Sequence, residues 1–236
     1  MILAVMLGIP VLAEDSSLQD KQESWKELNS QTADLMYNKN FSAAIEPAKK
    51  TVEAAQKEFG PEDLKTASAI NSLAIAYKEC NDKSSAEINF KKVLEIREKV
   101  LGAEDKELAG PLENLAVIYE EGQKFSEAEP LLARALDIKK QAYGDNDPFV
   151  GATALRLAQV YKQQEKYAEA EPLYKQGLDI LEQAQYPDLK QVASVCEELA
   201  DVYAKNSKPD EAQQIMDHGK AALERYDDIH NLEPAD

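Results

Sequence analysis

The chain has 236 residues, 27 lysines and arginines against 44 aspartates and glutamates, a formal charge of −17 and a pI near 4.6. That balance argues against a nucleic-acid binder, because neutralising phosphates needs a basic face. With 44% hydrophobic residues but only 9 Gly and 10 Pro, the chain can fill a core yet has too little turn punctuation for a many-stranded β-sandwich, and its wealth of Ala, Glu, Lys, Gln and Leu favours helices.

Residues 1–13 carry no charge and match the length of a signal-peptide hydrophobic region, too short to span a membrane. Val11, Leu12 and Ala13 fit a cleavage site, and the polar Glu14 to Ser17 follows, so the expectation is export with a mature chain from Glu14. No Lys or Arg precedes Lys21, which departs from the usual basic start; without export the chain would be cytoplasmic. Residues 14–24 read as a polar linker.

From Trp25 onward the sequence repeats itself. Ala44, Ala86, Ala128, Ala170 and Ala212 are spaced by 42 residues, and Tyr77, Tyr119, Tyr161 and Tyr203 share that period. So do the Leu-Ala pairs beginning at Leu73, Leu115, Leu157 and Leu199, and the glycines Gly60, Gly102 and Gly144. Five units therefore start near residues 25, 67, 109, 151 and 193. In the third unit Leu112, Leu115, Ala116 and Tyr119 form one helical face. After Gly122 and Gln123, Ala128, Leu131, Leu132, Ala135, Leu136 and Ile138 form another. Neither helix buries its stripe alone, so the units must stack as hairpins. Gln31, Thr32 and Leu35 break the pattern in the first unit, as Gln185-Tyr186-Pro187 does before the fifth. The array is expected over 25–226, with an acidic tail at 227–236.

The stretch Leu115-Ala116-Val117-Ile118-Tyr119, followed by Gly122-Gln123-Lys124-Phe125-Ser126-Glu127-Ala128 and Arg134-Ala135-Leu136-Asp137-Ile138, resembles a tetratricopeptide repeat of the long, kinesin-light-chain type. The resemblance implies an all-α, right-handed α-solenoid of five helix-turn-helix repeats, with the first helix of each repeat lining a concave groove. It implies protein binding, and the scarcity of chemistry-bearing motifs adds the expectation of neither catalysis nor cofactor.

By register the groove-facing positions are Asn29 and Ala33, Asn71 and Ile75, Glu113 and Val117, Leu155 and Gln159, Glu197 and Asp201. Ile75, Val117 and Leu155 are expected as apolar anchors, flanked by Asn71, Glu113, Asn114 and Gln159, a mix that suits a peptide's side chains and backbone amides. Glu113, Glu120 and Glu121 gather negative charge at the third unit, which favours a neutral to basic peptide. Of the Asn that light-chain members carry before the Leu-Ala pair, only Asn114 is present; Ser72, Arg156 and Glu198 stand in the other units. The Lys, Asn and Arg clamp of chaperone-binding relatives is not reproduced.

Chemistry-bearing motifs are few. Two histidines, His218 and His230, and two cysteines, Cys80 and Cys196, make no metal set at standard spacing. Cys196 with His218 is the one nucleophile-base pairing to consider, against the alternative of a buried packing thiol. Asn40-Phe41-Ser42 matches a glycosylation acceptor. The competing functional reading is a structural module of the cell envelope that self-associates through its ends or outer face.

Overall fold

The computed structural model describes residues 16–231, with side chains placed over 25–229. The expected leader lies outside the described residues. Ten α-helices and no strand are found among them: α1 (Ser16–Tyr37), α2 (Phe41–Phe59), α3 (Leu64–Glu79), α4 (Lys83–Leu101), α5 (Ala109–Glu121), α6 (Phe125–Tyr143), α7 (Pro148–Gln163), α8 (Tyr167–Glu182), α9 (Leu189–Lys205) and α10 (Pro209–Asn231), with a 3-10 turn at Lys106–Leu108. Each helix packs on its neighbours in chain order, and α1 and α5 both touch α3. The result is a right-handed α-solenoid of five hairpins, with odd-numbered helices in one layer and even-numbered helices in the other. Two boundaries differ from the sequence reading. The stretch 16–24 expected as linker is the start of α1, and α10 runs through the first five residues of the expected tail.

The recurring alanines explain the close stacking. Ala44, Ala86, Ala128 and Ala170 are fully buried, as are Ala74, Ala116 and Ala158, so in the second, third and fourth hairpins alanine faces alanine and the two helices can approach closely. The larger Leu73, Leu115, Leu157 and Leu199 fill the adjoining space and are at most 6% exposed.

The turns follow the same period. The middle residue of each three-residue hairpin turn, Lys39, Asn81, Gln123, Glu165 and Ser207, has φ between 55° and 61°. The residue after it donates its N–H to a carbonyl five residues back, as Lys124 does to Tyr119 at 2.8 Å. This is a Schellman-type helix stop. The residue in the left-handed region is therefore Gln123, while Gly122 keeps φ −87°. Between hairpins, Gly60, Gly102 and Gly144 take φ 90° to 95° with ψ near 160°, a region open essentially to Gly. The acidic residues after them cap the next helix: Asp63 and Asp147 accept from the N–H two residues on, at 2.7 and 2.8 Å. No such glycine precedes the fifth hairpin, and α8 ends at Glu182, about one turn short of the register at which α2, α4 and α6 stop.

Candidate functional site

The first helices carry the predicted groove residues, and the structure divides them into three groups. Asn114 and Gln159 are half-buried with their amide oxygens already engaged. Lys78 Nζ donates to Asn114 Oδ1 at 2.8 Å, and the Tyr174 hydroxyl donates to Gln159 Oε1 at 2.6 Å. Both amide NH2 groups remain as donors, with no acceptor among the described residues. Ile75 and Val117 are half-buried beside them, Ile75 leaning on the cluster around Leu112 and Leu115.

The second group is bound up in contacts between repeats. Lys139 Nζ donates to Glu113 Oε1 at 2.6 Å and to Thr153 Oγ1 at 2.8 Å, which ties α5, α6 and α7 together in a nearly dry triad. Arg156 Nε donates to Glu120 Oε1 at 3.0 Å, and Lys83 pairs with Glu121 at 3.0 Å. Burial pushes the Glu120 carboxyl above its ordinary value even though Arg156 pulls it down. The three carboxylates expected to cluster negative charge on the third unit are thus each matched by a cation. The carboxylates of α9 are less fully matched: Glu197 is exposed, and Glu198 and Asp201 share the single ammonium of Lys162 at 2.8 and 2.7 Å.

The third group shows how one position changes character. Leu155, 42 residues after Glu113, packs against the apolar cluster that contains Val195, as Leu181 does; Leu181 and Val195 stand 42 residues after Lys139 and Thr153. An ionic triad at one junction is an aliphatic triad at the next. Leu155 also occupies the space that a Cβ on Gly177 would need, so its side chain is committed to the α7–α8 contact. One junction earlier the same positions are Asn71, Arg97 and Pro111. Pro111 has no hydroxyl and Arg97 donates to the Glu107 carbonyl, and the buried Asn71 Oδ1 has no partner among the described residues.

A further polar system escaped the sequence reading. At the turn edge of the array Glu87, Glu129 and Glu171 recur at the 42-residue period. Glu87 accepts from the Tyr119 hydroxyl at 2.9 Å and from Lys91 at 2.6 Å. Glu129 accepts from Lys166 at 2.6 Å and Gln164 at 2.8 Å. Glu171 accepts from Lys175, Lys208 and Asn206 at 2.8 to 3.1 Å. Burial alone would raise the Glu171 carboxyl, but these bonds outweigh it and hold it at about 2. Lysines also lie over the rings: Lys124 over Tyr119, Lys166 over Tyr161, Lys208 over Tyr203, at 5.5 to 5.9 Å. The signal was available in the spacing of Lys124, Lys166 and Lys208.

Cys196 and His218 do not form a nucleophile-base pair. Cys196 is fully buried, with a Cβ placed on Gly219 falling 2.9 Å from its own, and burial pushes its thiol up to about 11. His218 bonds Glu182 instead. Cys80 is exposed, and both thiols are free.

Two family profiles, both described as tetratricopeptide repeat, match residues 66–105 and 107–183. The chain belongs to the tetratricopeptide-repeat family. No curated protein sequence matches it. Among solved structures it is similar to a Podosopora anserina protein described by its nearly identical, kinesin-light-chain-type repeats. That match has TM-score 0.71 and 21% identity, over 86% of this chain and 96% of that one. BtubC (BKLC) from P. vanneervenii superposes with TM-score 0.66 at 18% identity, over 94% and 96% of the two chains. MamA from Desulfovibrio magneticus RS-1 does so with TM-score 0.66 at 12% identity, over 86% and 97%. At these identities the likeness is one of fold. Among the described residues no helix of this tetratricopeptide-repeat protein is long and apolar enough to cross a membrane.

Proposed function

We propose that this protein is a non-catalytic scaffold that binds an extended, neutral to basic peptide segment in the groove formed by α3, α5, α7 and α9. The tetratricopeptide fold supports protein-protein interaction as the class of function. The observation that carries the finer reading is the pair of half-buried amides, Asn114 and Gln159. Lys78 and Tyr174 hold their oxygens, so two fixed NH2 groups face a ligand's carbonyls beside half-buried Val117. Main-chain hydrogen bonds of that kind give affinity, and an apolar contact gives side-chain preference. Ile75 and Asn71 extend the surface toward α3, and Glu197 and Asp201 supply the negative end that favours a basic segment. The same reading takes the segment 1–13 as an export signal, and N-terminal sequencing of native protein should begin at Glu14.

The competing reading, assembly end to end, fits the last hairpin poorly. Lys220 stands where internal repeats bury Leu94, Leu136 and Leu178, and a stacked neighbour would have to desolvate its ammonium.

The test is capture from the native compartment with wild type and two variants, Val117→Glu and Gln159→Ala, each checked by far-ultraviolet circular dichroism. A partner retained by wild type and lost by both folded variants supports the groove. Retention by both moves binding to another face.

A further inference from the structure

Two columns of positions, 36 residues apart, meet across the α3–α5, α5–α7 and α7–α9 junctions. One column, near the end of each helix, reads Met36, Lys78, Glu120, Lys162 and Ala204. The other, just before each Leu-Ala pair, reads Ser30, Ser72, Asn114, Arg156 and Glu198. The structure joins them in sequence. Lys78 donates to Asn114 at 2.8 Å, Arg156 Nε donates to Glu120 at 3.0 Å, and Lys162 donates to Glu198 at 2.8 Å. Charge in the first column occurs only where a following repeat answers it. Met36, 36 residues before Ser72, and the two outermost positions, Ser30 and Ala204, are uncharged.

The sign alternates along the array, and that alternation discriminates. If α7 were skipped in packing, Glu120 would face Glu198; if α5 were skipped, Lys78 would face Arg156. Both errors put like charges together in a half-buried site, where water screens them less than on an open surface. The hydrophobic positions do not discriminate in this way, because Leu115, Leu157 and Leu199 are interchangeable by size and shape. Desolvation works against Glu120 even in its correct pair. That fits a contact kept for selectivity, since buried ion pairs contribute little net stability while broken ones are costly.

We infer that the columns 78/120/162 and 114/156/198 act as keys and locks that specify the order in which these repeats of common register stack. The device rests on contacts within the array and is independent of what the groove binds.

The experiment uses the full chain and conserves net charge. Exchanging the locks, Arg156→Glu with Glu198→Arg, puts Glu against Glu at one junction and Lys against Arg at the next. Exchanging the keys as well, Glu120→Lys with Lys162→Glu, restores opposite charges at both, provided every protein compared carries Asp201→Asn so that position 162 meets no second carboxylate. Urea unfolding followed by circular dichroism should show the lock exchange lowering the folding equilibrium constant roughly tenfold or more, with most of the loss recovered in the fourfold variant. The loss should shrink in high salt. A lock exchange that leaves the urea midpoint unchanged overturns the inference. So does a fourfold variant no more stable than the lock exchange, because the residues would then act singly and not as pairs.

Discussion

Replacing Gly177 by alanine tests whether Leu155 belongs to the packing of the fourth repeat or to the groove. A methyl at 177 would land on the Cγ and Cδ2 atoms of Leu155, nearer than real Cβ contacts come. In an unhindered helix the change would stabilise by about 1 kcal/mol, because glycine is the poorer helix former. Here overpacking opposes it at about 1–3 kcal/mol, so the net expectation is a loss of about 1 kcal/mol. Leu155→Ala alone removes a half-buried side chain from the cluster of Leu181 and Val195 and should cost about 2 kcal/mol, the lower end for leucine truncation. In the double variant the methyl added at position 177 enters the space that Leu155 leaves. The two losses should then fall short of their sum by about 1–2 kcal/mol. Four proteins unfolded in urea and followed by far-ultraviolet circular dichroism give the cycle. Losses that add to within about 0.5 kcal/mol would refute the reasoning, and Leu155 would then be free to serve as a groove anchor.

Three further outcomes follow from the turns, the carboxylate knot and the thiols. Gly102→Ala forces a side chain into φ 94° and ψ 165° and should lower stability by about 1–3 kcal/mol, whereas Gln123→Gly relieves the left-handed turn and should raise it by about 0.5–1 kcal/mol; thermal melts that shift both the same way contradict this. The folded-state value of Glu171 lies near 2, below the ordinary 4.5, so its contribution is complete above about pH 4.5 and is lost as pH falls toward 2. With Lys175 and Lys208 partly in water that contribution is about 1–2 kcal/mol, and Glu171→Gln should flatten the acid limb of a stability-pH curve by that amount. A thiol reagent at pH 8 should modify Cys80 at once and Cys196 only on unfolding; two rapid equivalents in native protein would mean that the α9–α10 contact is open.

The hairpins were legible because the small and large apolar positions recur in phase. A buried alanine every 42 residues admits little but close helix stacking, and the Gly and Asp positions that stop and restart helices share its period. Polar positions were less legible, since a carboxylate has no obligatory neighbour. Glu113 and Leu155 occupy one register position, yet one closes an ionic triad and the other an aliphatic one, so register alone assigns both to the groove when packing claims much of each. Glu120 and Glu121 look like free surface charge until Arg156 and Lys83 arrive from neighbouring repeats. The start of α1 was obscured because residues 16–24 lack an apolar stripe.

Lys220 at the place of a core leucine puts a charge on the outer face of the last described hairpin, and a groove bounded there works as a ruler. The four groove helices α3, α5, α7 and α9, side by side at about 8–10 Å, make a trough about 24–30 Å long. An extended chain advances about 3.3 Å per residue, so the trough reads a segment of roughly 7–9 residues at one time. Shorter sequences would leave one end of the trough wet, and longer ones would run on past α9 into solvent. Selection on any partner would therefore act on a stretch of about that length, and trimming such a segment from either side should lower affinity in steps, one for each helix it ceases to touch.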